Sequence, residues 1–293
     1  MTRPSPSERR VRPPPPAERV RRRLAAVAGD RVAREMPSGY HRFGRVLIIQ
    51  RPETLAPYDA LLGSAWREEL GVETVLVKSG PVKGELRTPQ VRCVAGERTE
   101  TEVVEHGVRW RFDAARIMFA AGNRTERIRA GRLVRPGETV VDLFAGIGYF
   151  AIPAALLGRA ACVWAVEKNP VSVQYLRENA VLNGVAERVL VVPGDNRTVS
   201  LPMGSFDRAF LGYLPSALPW VPRAVALLRP AGGWLHVHAV ADVRAPLSDA
   251  AAAVERSSEA VGARCPEPSR VRVVKPYGPG RHHLVVDVRV VPR

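Results

Sequence analysis

The residues best suited to chemistry form a short turn rich in glycine. Asp142, Gly146 and Gly148 belong to the run Asp-Leu-Phe-Ala-Gly-Ile-Gly, which follows an apolar stretch and precedes a helical pattern. Glycine at these positions lets a ligand approach the backbone N–H groups at the start of the helix. Ala151 completes the Gly-x-Gly-x-x-Ala spacing of a dinucleotide site. The turn alone therefore predicts a nucleotide-like ligand without specifying which one.

Two further polar positions follow apolar strands in the same way. Glu167 ends the second predicted strand, 19 residues beyond Gly148, where an acid accepts hydrogen bonds from ribose hydroxyls in a doubly wound fold. Asp195 and Asn196 end the third predicted strand and can contact an adenine edge. The three strand ends together predict one adenosine-containing ligand.

A pair of histidines provides the candidate catalytic groups. His236 and His238 lie on alternate residues of a predicted strand, so both side chains face the same side of the sheet. One of them could deprotonate or orient an acceptor, and a structural role is equally compatible with the pattern. No further ligands accompany the pair, and no metal is expected.

Alternating strands and helices place these residues. The predicted strands are residues 139–144, 162–166, 189–192, 206–211 and 233–240, and the helices between the first three are residues 149–157 and 170–183. Such alternation predicts an α/β fold with a mostly parallel sheet covered on both faces. Residues 271–274 and 282–291 have no helix between them, so we expect them to close the sheet as an antiparallel pair.

The chain before this domain divides into two parts. Residues 1–40 contain seven prolines and ten arginines, which predicts a flexible arm with room for one helix over residues 17–34. Residues 41–112 predict a small α+β module, with a helix over residues 58–70 and strands at 46–49, 72–77, 91–94 and 103–112. Residues 113–293 form the predicted ligand-binding domain.

The amino-acid composition indicates the cellular compartment of the protein but does not identify its binding partner. Four of the 44 basic residues are lysines, an arginine bias typical of a GC-rich genome, so the net charge of +15 is compatible with coding bias or with a nucleic-acid partner. The sequence shows no apolar stretch of membrane-spanning length and no secretory signal. Three widely spaced cysteines favour a reducing cytoplasm. No membrane association and no obligate protein partner are expected.

Several segments together resemble one enzyme family. The chain is similar to the aminocarboxypropyltransferases of wybutosine synthesis and to the related tRNA guanine-N1 methyltransferases, over residues 42–293. The matching segments are residues 84–89, 117–127, 142–148, 194–197, 207–213 and 235–238. The resemblance implies a class I S-adenosylmethionine (SAM) domain of Rossmann-like fold.

The family resemblance also implies the reaction and the cofactor contacts. SAM would be a co-substrate, attacked at the Cγ carbon of its methionine moiety with release of methylthioadenosine. The contacts carried over from the family fall on Arg127, Glu167, Asp195 and Asn196, in addition to the glycine turn. Arg127 would pair with the methionine carboxylate, although a solvated helical arginine is the alternative.

The acceptor side of the site departs from the family pattern in two places. Leu211-Gly-Tyr213 stands where the methyltransferases carry Asn-Leu-Pro, which favours aminocarboxypropyl transfer over methyl transfer. Ala120-Ala121 replaces the family's Ser-Pro, which puts the usual acceptor in doubt. Asn123, Tyr213 and Ser216 are the residues expected to line the acceptor pocket.

Two hypotheses for the acceptor remain, and the first is favoured by Ala120-Ala121 and by the arginine bias, which suggests a GC-rich bacterium where the wybutosine pathway would be unexpected. We expect a phenolic small molecule in antibiotic biosynthesis, as in the isonocardicin synthase type of enzyme that modifies a nocardicin-type β-lactam. The alternative is 4-demethylwyosine next to the anticodon of tRNA, which the small module and the positive charge favour. A tRNA guanine-N1 methyltransferase and a non-catalytic SAM- or RNA-binding protein fit the motifs less well.

Overall fold

The computed structural model describes residues 13–293, so the first twelve residues of the predicted arm lie outside the described residues. The chain forms two compact units. The first comprises the residues up to Thr101 together with Asp113–Met118, and the second comprises Glu102–Phe112 together with Phe119–Arg293.

The first unit contains a four-stranded sheet with helices packed on it. Its elements are α1 (Pro16–Ala28), α2 (Asp30–Ala33), β1 (Tyr40–Phe43), β2 (Val46–Ile49), α3 (Asp59–Leu70), β3 (Thr74–Lys78) and β4 (Val91–Ala95). The strands lie in the order β1-β2-β3-β4. Only β2 and β3 pair in parallel; the other neighbours are antiparallel.

Helix α1 falls on the span where the sequence left room for one helix (residues 17–34), but it is packed into an apolar core instead of belonging to a flexible arm. Val20 and Leu24, one helical turn apart, are fully buried in the same apolar cluster as Leu62 and Trp66 of α3. Proline at the first turn of α1 suits a helix start because its missing N–H would have no partner there. The apolar face of the helix explains why this segment is part of the first unit.

A hairpin stands where the sequence predicted the single strand 103–112. Strands β5 (Glu100–Glu105) and β6 (Val108–Asp113) form a two-stranded sheet. His106 and Gly107 between them both have positive φ, 50° and 82°, as a type I′ hairpin turn requires.

Two asparagines fix this hairpin within the second unit, Asn179 in the helix Pro170–Leu182 and Asn183 directly after its end. Asn179 accepts a hydrogen bond from the Arg111 N–H (2.7 Å) and donates to the Arg111 carbonyl (3.1 Å). Asn183 makes the same pair of bonds to Arg109, at 2.9 and 2.7 Å. Residues 102–112 therefore belong to the second unit, whereas the sequence placed them in the small module.

The second unit is built on a seven-stranded sheet. Its elements after the hairpin are α4 (Arg124–Leu133), β7 (Thr139–Asp142), α5 (Ala151–Leu156), β8 (Cys162–Glu167), α6 (Pro170–Leu182), β9 (Val189–Pro193), β10 (Arg208–Leu211), α7 (Val221–Leu227), β11 (Gly233–Asp242), α8 (Leu247–Glu259), β12 (Arg270–Gly278) and β13 (Arg281–Val290). The strand order is β12-β13-β11-β10-β7-β8-β9.

This sheet confirms the predicted fold class. Strands β11, β10, β7, β8 and β9 are parallel neighbours, and β13 and β12 extend the sheet in antiparallel fashion. Val140 and Val141 on β7, the middle one of the five parallel strands, are both fully buried, as expected of a strand covered on both faces. Helix α8 covers one face, since Val254 shares an apolar cluster with Val286 and Val288 of β13. Within the described residues, no helix combines the length and apolarity needed to cross a bilayer.

Candidate active site

The glycine turn after β7 has a backbone that only glycine adopts easily. Gly146 and Gly148 have φ values of 56° and 102°. A Cβ atom on Gly148 would lie 2.4 Å from Cδ1 of Ile152, and one on Gly146 would lie 2.7 Å from the Tyr149 ring. A side chain at either position would therefore clash with Ile152 or Tyr149, so the turn after β7 requires glycine.

Glu167 is held against this turn by two backbone hydrogen bonds. Its Oε2 accepts from the Gly146 N–H (2.8 Å) and its Oε1 accepts from the Asn169 N–H (2.7 Å). Burial raises the pKa of Glu167 above its ordinary value, although these backbone donors oppose the shift. The bonds fix the carboxylate at the end of β8, and its remaining lone pairs can accept hydrogen bonds from two vicinal hydroxyls.

Asp142 brings a buried carboxyl to the end of β7. Its Oδ1 accepts from the Phe144 N–H at 3.2 Å, while Oδ2 has no hydrogen-bond partner among the described residues. Burial, with a smaller contribution from Glu167, raises the pKa of Asp142 to about 7. A polar atom left unpaired in the interior carries a cost, which a bound donor would remove.

The third strand end completes the arrangement. Asn196 donates from Nδ2 to the Leu143 carbonyl at 2.6 Å, while its buried Oδ1 has no partner among the described residues. Asp195 forms an ion pair with Arg197 and lies 3.7 Å from Nζ of Lys168. The hydrogen bonds from Arg197 lower the pKa of Asp195 below its ordinary range.

The structure therefore brings the three predicted strand ends together through named bonds. The Gly146–Glu167 bond joins the ends of β7 and β8, and the Asn196–Leu143 bond joins the ends of β9 and β7. A carboxylate fixed beside the glycine turn and two buried oxygens without a partner among the described residues suit the hydroxyls and amino group of an adenosine. In the part of the chain that the structure describes, no group of three or more His, Cys, Asp or Glu side chains could hold a metal ion.

Arg127 has partners other than the predicted carboxylate ligand. Its side chain is 2% exposed and pairs with Glu105, through Nε at 3.2 Å and Nη2 at 2.5 Å, and its Nη1 donates to the Ala120 carbonyl at 2.9 Å. The guanidinium also lies over the Phe119 ring, 4.4 Å from its centroid. The solvated alternative is wrong, because the side chain is buried. A direct cofactor contact stays a prediction, and it would require a ligand to compete with Glu105.

His236 lies in a buried charge network. Its Nε2 is 2.6 Å from Nη1 of Arg208, and its Nδ1 is 2.6 Å from Oδ1 of Asp287. A guanidinium can only donate, so Nε2 accepts and Nδ1 carries the proton that is donated to Asp287. Burial lowers the pKa of His236 below its ordinary value, in keeping with a neutral ring. Both nitrogens are used, which favours the structural alternative over a catalytic base.

The network continues on both sides of this histidine. Asp287 also binds Arg129 at 2.7 Å, and Arg129 pairs with Glu126. Although burial works to raise it, the contacts with His236 and Arg129 hold the pKa of Asp287 below its usual range. Sequence reasoning missed these partners, because Asp287 and His236 meet only through the pairing of β13 with β11.

His238 is buried but differently bonded. Its Nδ1 is 2.8 Å from Nε2 of His283, its ring stacks on Phe150 at 5.1 Å, and its Nε2 has no hydrogen-bond partner among the described residues. Burial, followed by the nearby His283 and His236, holds its pKa well below the ordinary value. The ring is neutral, and its catalytic role stays a prediction.

Tyr213 lies close to the glycine turn. Its ring stacks on Phe144 of the Asp142–Gly148 motif, with centroids 5.1 Å apart, and packs at 5.2 Å against Trp220. Phe144 and Trp220 also meet edge to face at 5.1 Å. The sequence missed Phe144 and Trp220 as partners of Tyr213, although the position of Phe144 within the motif could have indicated it.

The other two residues predicted for the acceptor pocket occupy loops. The Oδ1 atom of Asn123, just before α4, is buried without a hydrogen-bond partner among the described residues. The Ser216 hydroxyl accepts from the Leu218 N–H at 3.3 Å and so stabilises its own turn. Their contact with an acceptor stays a prediction.

The fold and the strand-end site together define a Rossmann-like domain that binds an adenosine-containing ligand. Models of two protein families match this chain: the TYW2 N-terminal domain over residues 20–99 and the TRM5/TYW2 methyltransferase domain over residues 101–265. The chain belongs to the TRM5/TYW2 family.

Individual relatives support the same assignment. A Pyrococcus horikoshii protein named tRNA(Phe) (4-demethylwyosine(37)-C(7)) aminocarboxypropyltransferase is 32% identical over 273 residues, 93% of this chain and 96% of that protein. The human tRNA wybutosine-synthesizing protein 2 homolog is 40% identical over 210 residues, 70% of this chain but only 46% of the human protein. The crystal structure of P. horikoshii TYW2 in complex with MeSAdo matches with a TM-score of 0.83 and 30% identity, covering 94% of this chain and 100% of that one.

The comparisons establish the reaction class and redirect the choice of acceptor. The chain is a SAM-dependent aminocarboxypropyltransferase with SAM as its co-substrate. The expectation of a phenolic acceptor in antibiotic biosynthesis gains no support from these relatives. The tRNA alternative fits them better.

Proposed function

We propose that this protein transfers the 3-amino-3-carboxypropyl group of SAM to 4-demethylwyosine next to the anticodon of tRNA(Phe). The observation that carries the proposal is the similarity to the P. horikoshii enzyme along nearly the whole of both chains. A relative sharing only the SAM fold would leave the acceptor open. The match of the TYW2 N-terminal domain over residues 20–99 extends the similarity beyond that fold.

The aromatic group beside the glycine turn supports a planar acceptor. Tyr213, Phe144 and Trp220 contact one another within 5.2 Å between ring centroids. An RNA base taken out of its stack loses stacking energy, and an aromatic side chain can restore about 1–3 kcal/mol of it. We infer that Tyr213 offers its ring to the acceptor base.

The residues of the site would direct the reaction mainly by orientation. When bound, SAM would supply a sulfonium-activated methylene carbon to the acceptor. A bond forms between this methylene carbon and the acceptor carbon as the C–S bond breaks, methylthioadenosine leaves with the electron pair of that bond, and the acceptor carbon loses its proton to water. Glu167 would hold the ribose, while Asp195 and Asn196 would hold the adenine. These contacts fix which carbon next to the sulfonium faces the acceptor, and positioning of this kind is a large part of such catalysis.

We place the reaction in the cytoplasm. Cys93, Cys162 and Cys265 are all free thiols, which suits a reducing compartment. A tRNA acceptor fits the same location.

The test uses SAM labelled in its aminocarboxypropyl chain and tRNA(Phe) that carries 4-demethylwyosine. Mass spectrometry of nucleosides from the digested tRNA should show the wybutosine precursor heavier by one labelled aminocarboxypropyl group, with one methylthioadenosine released per transfer. A parallel reaction contains phenolic amino acid derivatives instead of tRNA. Label in a phenol and none in the tRNA would refute the proposed acceptor, and a gain of one methyl group would refute the donor orientation.

A variant pair ties this activity to the predicted site. Glu167→Gln should weaken SAM binding measured by calorimetry, because the amide replaces an acceptor oxygen with a donor. Glu187→Gln, in a short turn before β9 where the side chain is exposed, is the matched control and should bind SAM like the wild type. Equal affinities for the two variants would contradict the ribose role of Glu167.

A further inference from the structure

The edge strand β12 and the turn that follows it carry a run of cations. From Arg270 to Arg281 the sequence has four basic residues and no acid, the other two being Arg272 and Lys275. Strand β12 ends the sheet and pairs only with β13 among the described strands. Charges on an edge strand commonly prevent pairing with another chain, but that purpose does not require the charges to share one face.

The pairing register puts all four cations on one face. Residues directly opposite each other in antiparallel strands point to the same side, and Arg270, Arg272 and Lys275 lie opposite Asp287, Val285 and His283. Alternate residues of β13 share a face, so these three cations share it too, together with Arg281. Helix α8 lies on the other face, where Val271 joins its apolar cluster.

A β-bulge makes this arrangement possible. Arg272 and Lys275 are three residues apart, a spacing that regular alternation would send to opposite faces. The register shifts between Val273 and Lys275, because Val273 pairs with Leu284 and Lys275 with the next residue, His283. Bulges re-aim side chains in this way. The extra residue keeps Lys275 in line with the arginines.

The cationic face adjoins the predicted acceptor segment. The Lys275 side chain lies against Gly122, since a Cβ atom there would be 2.8 Å from its Cδ. Gly122 directly precedes Asn123 of the predicted acceptor pocket. Arg272 lies 3.9 Å from Glu126 at the start of α4 and keeps 51% of its side chain exposed. The strand therefore runs alongside residues 122–126.

Neighbouring carboxylates on this face have other partners as well. Asp287 binds Arg129 and His236, and Asp242, opposite Arg281 on β11, binds Arg244.

Tyr277 is 39% exposed on the same edge. An exposed aromatic ring among arginines suits a nucleic acid, whose phosphates and bases these two kinds of side chain bind.

We propose that the bulged cationic face of β12 and β13, formed by Arg270, Arg272, Lys275 and Arg281, binds the phosphate backbone of the RNA whose base enters the acceptor pocket. This inference rests on the proposed function, because it requires the acceptor to be part of an RNA. The face would hold the phosphates flanking the target nucleotide, while the pocket holds the base. Phosphate contacts of this kind set position without reading sequence.

The experiment compares two double variants of the full chain. Arg270→Gln/Arg272→Gln removes two cations from the proposed face. Arg256→Gln/Arg264→Gln removes two exposed cations from α8 and the segment after it, beside the opposite face of the same sheet. Both are titrated with tRNA(Phe) carrying 4-demethylwyosine at several salt concentrations, and SAM affinity serves as the check of folding.

We expect the first variant to bind the tRNA roughly tenfold more weakly, with a log–log salt slope shallower by about 1.4, at roughly 0.7 for each single-strand phosphate contact. The control should match the wild type, and both should keep SAM affinity. Lys275→Gln alone should lower the slope by about half as much. Equal slopes for the two double variants would overturn the proposed face and leave the function intact. Failure of the wild type to bind the tRNA while it binds SAM would overturn the function and the face together.

Discussion

Removing the carboxylate of Asp287 tests the buried charge network that surrounds His236. Asp287 accepts hydrogen bonds from His236 and from Arg129, at 2.6 and 2.7 Å, and is 8% exposed. In Asp287→Ala the Nδ1–H of His236 loses its acceptor and Arg129 keeps only Glu126 as a close carboxylate partner. Breaking a buried pair from one side costs about 3–5 kcal/mol. The remaining Glu126 places the expected loss near the lower end, about 3 kcal/mol.

The Asn substitution separates charge from hydrogen bonding. In Asp287→Asn the side-chain oxygen still accepts from His236, provided that the ring is the neutral tautomer with its proton on Nδ1. The hydrogen bond becomes neutral instead of charge-assisted, so the expected loss is about 1–2 kcal/mol. Asp242→Ala is the control, because that carboxylate pairs with Arg244 at the surface and its removal should leave stability unchanged within error.

Denaturant titration followed by tryptophan fluorescence measures these differences. Trp110, Trp164, Trp220 and Trp234 all belong to the second unit, so the signal reports mainly on the unit that holds the network. Shifts in midpoint at constant slope give the change in unfolding free energy. A loss below about 1 kcal/mol for Asp287→Ala would refute the network as a source of stability. Equal losses for Ala and Asn would show that the hydrogen bond to His236 adds no stability once the negative charge is gone.

Two further predictions concern the glycine turn and the end of β7. Gly148→Ala should abolish SAM binding and destabilise the protein more than the control Gly137→Ala does. Both glycines have positive φ, but only Gly148 has atoms within 4 Å of the added Cβ. Calorimetry measures SAM binding by the two variants, and denaturant titration measures their stability. In the folded protein the pKa of Asp142 is about 7, so its carboxyl keeps its proton up to that pH. In the unfolded chain the same carboxyl loses its proton from about pH 4 upwards. The free energy of unfolding therefore falls as the pH rises from about 4 to 7. Asp142→Asn should remove that decline, by a few kcal/mol at most, and unchanged pH dependence of unfolding would contradict the burial argument.

Part of the site follows from sequence because parallel strands end at one edge. Glu167 and Asn196 were placed near the glycine turn by counting strands alone, and the bonds to Gly146 and Leu143 realise that placement. No pairing register was needed for this step, since the carboxyl ends of parallel strands meet whatever the register.

The histidines show what sequence alone leaves undetermined. The alternation of His236 and His238 correctly placed both side chains on one side of β11, but the partners come from β10 and β13. Asp287 is 51 residues away from His236. Only the pairing of β13 with β11 brings them opposite each other. A one-residue shift of register would replace the carboxylate with a valine and leave a histidine free to act as a base.

The contacts around Ala120-Ala121 show that the replacement of Ser-Pro by two alanines does not require an unusual acceptor. The Ala120 carbonyl accepts hydrogen bonds from the Asn123 N–H at 3.0 Å and from Arg127, whose charge is balanced by Glu105 of the hairpin. On the other side, Lys275 of the edge strand packs against Gly122. A proline or a hydroxyl restricts a loop through the loop's own residues, whereas here contacts with Arg127 and Lys275 restrict it. Because the segment is held by other means, the two alanines are compatible with the acceptor of the family.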